Sequence, residues 1–88
     1  MYAVHYYFDA SDHKILKDSF EAELEKMSIN FINRSEADGY EDDDEIIYEV
    51  TSYDKKSLLN FMHWTHYNIE CAPHSFNVQE AEDSIEEI

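Results

Sequence analysis

The sequence predicts an α+β domain with elements in the order β-α-β-β-α, closed by a final β, in which an antiparallel sheet carries two helices on one face. Three observations lead there. Residues 1–8 alternate, with Tyr2, Val4, Tyr6 and Phe8 on one side and Ala3, His5 and Tyr7 on the other. Leu16, Phe20, Leu24 and Met27 recur at helical spacing. A second alternating run sets Ile46, Tyr48 and Val50 against Ile47, Glu49 and Thr51, and it precedes a stretch carrying Leu58, Leu59, Phe61, Met62 and Trp64. A period of two marks a half-buried strand, whereas steps of three and four mark one face of a helix.

Residues 1–8 are rich in aromatic side chains, which suit a pleated, half-buried surface, and form the first strand. Ser11 or Asp12 is placed to cap the helix that follows, and Asp18, Glu21 and Glu25 form a row apart from its apolar face. Residues 29–33 are short and β-prone, and residues 34–45 form a polar loop holding the only glycine, Gly39. The strand opening at Ile46 leads to Asp54, an N-cap for the second helix, which Pro73 stops because proline has no amide hydrogen and clashes with the preceding turn. Residues 76–79 are expected as a last short strand and residues 80–88 as an acidic tail, so that residues 1–79 make a single domain. A strand, a helix and a returning strand, interleaved with a second such unit, is the split βαβ plan of ferredoxin-like domains.

The chain holds 21 acidic against 6 basic residues, a formal charge of -15 over 88 residues. Solubility asks for a magnitude of about 2 to 8, and anything beyond adds self-repulsion. A disordered acidic segment would lack aromatics, but here they are 15% of the chain and the hydrophobic fraction is 43%, so the chain folds. A domain of this size buries a modest core, with stability on the order of 5 kcal/mol.

Cys71, the single cysteine, cannot form an internal disulfide, which points to the reducing cytoplasm. No stretch approaches the roughly 18 apolar residues of a membrane span, residues 1–8 lack the features of a signal peptide, and anionic lipid would repel the surface. Direct nucleic-acid binding needs clustered Lys and Arg, and the six bases are scattered. One glycine cannot build a glycine-rich phosphate loop, and Cys71 has no neighbouring base. The expectation is a non-enzymatic protein without cofactor.

Spacing turns the acidic surface into a candidate binding site. Carboxylates four apart on a helix stand about 6 Å apart along its axis, and alternate strand residues about 6.6 Å, comparable with consecutive phosphates on one strand of a duplex. The candidate contacts are Asp18, Glu21 and Glu25 on the first helix, and Tyr40 with the unbroken run Glu41, Asp42, Asp43, Asp44 and Glu45. Glu21 and Glu25 make a like-charged i to i+4 pair, destabilising by a few tenths of a kcal/mol. Tyr40, Tyr48, Tyr53, Trp64 and Tyr67 exceed what so small a core easily hides, and such side chains anchor interfaces. The expected partner is a basic nucleic-acid-binding protein, met by this chain as a monomer or homodimer.

In size, charge and aromatic content over its full length the chain resembles the small phage-encoded DNA-mimic inhibitors, a class that includes anti-restriction proteins, anti-CRISPR proteins and uracil-DNA glycosylase inhibitors. The resemblance rests on no diagnostic motif. It implies action in the host cytoplasm, with carboxylates occupying the channel where a host enzyme holds nucleic acid, guided there by long-range charge. Acidic nuclease-immunity proteins of bacteriocin systems are similar in composition, and the alternative is an acidic adaptor or immunity protein that regulates a basic protein. A shorter likeness lies at Tyr7-Phe8-Asp9-Ala10-Ser11-Asp12, which resembles the strand end of Cas2-like proteins, a family with metal-dependent nuclease members. It implies a metal-holding Asp9 at a dimer interface, although a chain at -15 repels the phosphates such a nuclease must cut.

Two metal patterns remain. His63, His66, Cys71 and His74 are zinc-type ligands spaced H-x2-H-x4-C-x2-H, which matches no finger pattern, and packed histidines on a helix account for it as well. Glu36, Asp38, Gly39 and Glu45 fall at EF-hand places three, five, six and twelve, but Arg34 stands at the first, where a carboxylate or amide belongs. No metal is expected.

Overall fold

Strand β1 (Tyr2–Asp9) turns Val4 and Phe8 into the interior and leaves Tyr7 exposed, as its alternation requires. A computed structural model provides the coordinates, which describe residues 1–37 and 45–88. The chain continues through α1 (Ala10–Lys26), β2 (Asn30–Asn33), a single turn α2 (Arg34–Ala37), β3 (Glu45–Ser52), α3 (Lys55–Asn68), α4 (Val78–Ser84) and β4 (Glu86–Glu87). The strands form one antiparallel sheet in the order β2-β3-β1-β4, the split βαβ plan expected from the sequence. β1 and β3 pair along their whole length, from Tyr2 opposite Ser52 to Asp9 opposite Glu45.

Both long helices cover one face of that sheet. Phe20 and Leu24 of α1 meet Leu58 and Phe61 of α3 over Val4, Phe8, Tyr48 and Val50. Phe20 is the hub: its ring lies 5.1 Å from Tyr6, 5.1 Å from Phe8, 4.9 Å from Tyr48 and 5.2 Å from Phe61, mostly edge to face. Such pairs add stability beyond the apolar area they bury. Met27 caps α1 at its C-terminus, after which Ser28 takes the left-handed conformation at φ 58 and lets the Ile29 amide donate to the Leu24 carbonyl at 2.9 Å. The cap expected at Asp54 is present, its carboxylate accepting from the Lys56 amide at 3.0 Å and the Ser57 hydroxyl at 3.1 Å.

Three expectations are corrected. α1 begins one residue after β1 ends, so its N-cap is Asp9, without a side-chain bond, and Ser11 and Asp12 fall within the first turn. Residues 34–45 are not loop throughout, because α2 opens them and Glu45 already belongs to β3. Residues 76–79 are not the last strand. Asn77 accepts from the Glu80 amide at 3.1 Å, and this cap draws Val78–Ser84 into α4, which buries Ala81. The last strand is Glu86–Glu87, held against β1 where the Ile88 amide donates to the Met1 carbonyl at 2.8 Å. Among the described residues no helix is long and apolar enough to cross a membrane.

Candidate functional site

At the sheet end where β1 finishes and β3 begins, Asp9 and Glu45 are direct cross-strand partners, and both are exposed. Side chains so placed have Cβ atoms about 5 Å apart, and two like charges there repel. Asp12, exposed in the first turn of α1, adds a third carboxylate close by in the chain. Of the run of five acids Glu45 alone is described; Tyr40, Glu41, Asp42, Asp43 and Asp44 lie outside the described residues, as do Asp38 and Gly39 of the calcium pattern.

Asp18 and Glu25 are exposed on α1, but the helix separates them from this end, Glu25 standing about 22 Å along the axis from Ala10. Glu21 is half-buried and already engaged within the domain. Its carboxylate accepts the Tyr48 hydroxyl at 2.7 Å, and Tyr48 is fully buried. His13 Nε2 lies 2.7 Å from the same hydroxyl oxygen; because the single hydroxyl hydrogen goes to Glu21, His13 is the donor. Glu21 therefore satisfies a buried polar group.

Among the described residues few ion pairs offset the acidic excess. Among the described residues Arg34 is the only Lys or Arg side chain in an ion pair, reaching Glu49 at 3.1 Å, with His5 Nε2 3.3 Å from the same carboxylate. Burial pushes the Glu49 carboxyl up, but the hydrogen bond and charge of Arg34, joined by those of His5, outweigh it and hold Glu49 below the usual carboxylate range. Lys55 lies over the Tyr2 ring, 5.9 Å from its centroid.

A second feature is an open cleft of about 460 Å³ between β1, the end of α3 and α4, lined by residues from Val4 to Tyr7 and by Met62, Phe76 and others. On its wall Thr65 donates to the Met62 carbonyl at 2.9 Å, so the Tyr6 hydroxyl is the donor in its 3.2 Å bond to Thr65. Burial, countered in part by that bond and reinforced by the charge of Glu70, raises the Tyr6 hydroxyl well above the ordinary tyrosine value. His66 Nε2 donates to the His74 carbonyl at 2.8 Å, which leaves Nδ1 facing Glu70 at 3.9 Å.

The histidine and cysteine pattern becomes an aromatic cluster. The His63 ring packs on Tyr67 and Phe76, and the His66 ring on Tyr67, His74 and Phe76. Cys71 is exposed, its sulfur 3.9 Å from the Asn68 carbonyl. Among the described residues no three His, Cys, Asp or Glu side chains are placed to hold a metal, and that holds for Asp9 as well. Of the tyrosines expected at an interface, Tyr53 is 80% and Tyr67 46% exposed, whereas Tyr48 is core and Trp64 stacks on Phe61. Comparison with protein-family models, curated proteins and solved structures yields no match.

Proposed function

We propose that this protein is a non-enzymatic inhibitor that sets carboxylates where nucleic acid would otherwise lie on the basic surface of a host defence or DNA-processing protein. The observation that carries this reading is Asp9 directly opposite Glu45, both exposed and neither in an ion pair among the described residues. A like-charged cross-strand pair is destabilising, and a partner presenting Lys and Arg supplies the missing countercharge. At -15 the whole chain adds long-range attraction that speeds encounter with such a surface. The contacts assigned are Asp9, Asp12 and Glu45, the acids 41–44 that precede Glu45 in the sequence, and Asp18 and Glu25 as outlying groups, with Glu21 engaged by Tyr48.

The experiment is charge reversal at this end. Asp9→Lys with Glu45→Lys should weaken affinity for the basic protein captured by the native chain by tenfold or more, while circular dichroism stays unchanged. Each lost charge-assisted contact is worth about 1.5 to 3 kcal/mol. Equal affinity of native and reversed proteins, both folded, rejects the assignment.

A further inference from the structure

We infer that the open edge of β1 beside the cleft is a docking site for an extended basic peptide, which adds as a strand at His5 and Tyr7 in line with β4. Met1 and Ile88 exchange backbone bonds, the Ile88 amide donating at 2.8 Å and the Met1 ammonium at 3.3 Å. Such pairs recur at every second residue of an antiparallel ladder, so Ala3, His5 and Tyr7 turn their backbone groups to the same edge. Ala3 finds Glu86 there. Continued in register, Ser84 would face His5 and Glu82 would face Tyr7, but both belong to α4. Among the described residues no strand pairs with β1 on this side beyond Ala3, and His5, Tyr7 and Ser84 all line the cleft. An edge with free amides and carbonyls is a template for an added strand.

Charge selects the occupant. Glu70 and Glu80 line the cleft, no Lys or Arg does, and Glu86 and Glu87 lie just along the edge in β4. A second copy at -15 would be repelled, whereas a Lys- or Arg-bearing strand is attracted. Val4, Met62 and Phe76 supply an apolar floor for alternate side chains, because successive residues of a strand point to opposite faces. The fitting partner alternates apolar and basic residues. This surface uses residues other than Asp9, Asp12 and Glu45, and the inference does not depend on the inhibitor reading.

The test uses the full chain labelled with ¹⁵N and an acetylated, amidated peptide of alternating Lys and Val, nine residues long. Matched peptides carry N-methyl groups at alternate amides, in both registers, or Glu in place of Lys. Binding of the Lys peptide with about tenfold or greater slowing of amide exchange at His5 and Tyr7 is expected, together with at least tenfold weaker binding of one N-methylated peptide. The Glu peptide should not bind, and Glu80→Lys should weaken the Lys peptide while the circular dichroism spectrum shows the variant still folded. Equal binding of every N-methylated peptide, or shifts confined to Asp9, Asp12 and Glu45, overturns the inference. Protection of the His5 and Tyr7 amides that rises with protein concentration in the absence of peptide assigns the edge to a second copy and overturns it equally.

Discussion

Glu45→Lys should make this protein more stable. In the native chain Glu45 stands opposite Asp9, and the substitution turns a repulsive cross-strand pair into an attractive one. Each change is worth about 0.2 to 1 kcal/mol. Both side chains are exposed, so solvent screening holds the sum to about 0.5–1 kcal/mol. For a domain of this size that raises Tm by about 2–8 °C. Salt adds a second signature: the Debye length falls from about 10 Å at 0.1 M to about 3 Å at 1 M, below the roughly 5 Å between the paired Cβ atoms. Thermal unfolding followed by circular dichroism should show the variant ahead in dilute buffer and the two proteins converging in 1 M sodium chloride. An unchanged or lower Tm in dilute buffer, or a difference indifferent to salt, would refute the idea that the paired acids repel.

Tyr48→Phe removes the hydroxyl that joins His13 to Glu21 and should destabilise by about 1.5–3 kcal/mol, read as a lower urea midpoint at constant slope. Ser28→Gly should stabilise by roughly 0.5–1 kcal/mol, because φ 58 disfavours a side chain there and glycine adopts it freely; differential scanning calorimetry measures it. Glu49 contributes stability above its unfolded value of 4.5 that is lost as pH falls through its lower folded value. Glu49→Gln should therefore be the less stable protein at pH 7 and equal to the native one once Glu49 is itself protonated, seen by urea unfolding between pH 7 and pH 2.5. Asp54→Ala removes the cap of α3 and should cost about 1 kcal/mol in the same assay.

Strongly periodic segments were legible from residues alone. Tyr2, Val4, Tyr6 and Phe8 specify β1, and Phe20 and Leu24 specify the buried face of α1, because each pattern permits only one face to be apolar. β4 was not legible: two glutamates have no intrinsic preference for a strand, and the pairing comes from the edge that Met1 offers. Phe76 and Val78 suggest β, yet the Asn77 cap outweighs them. The bond between Glu21 and Tyr48 is not apparent from the acidic row on α1, although a signal for it exists. Tyr48 points inward on β3, so its hydroxyl needs an interior partner, and His13, seven residues before Phe20, lies on the same face of α1. The pairing of Asp9 with Glu45 depends on strand register, which composition does not encode.

Competition with duplex DNA tests the inhibitor reading most directly. The native chain, immobilised and loaded with the basic protein it captures, is washed with an increasing concentration of a short duplex oligonucleotide at fixed ionic strength. Release of the partner by the duplex, at concentrations that leave the Asp9→Lys, Glu45→Lys protein unable to retain it at all, is the expected result. A partner that stays bound while the duplex binds beside it would contradict occupation of a nucleic-acid surface and make this chain an acidic adaptor instead.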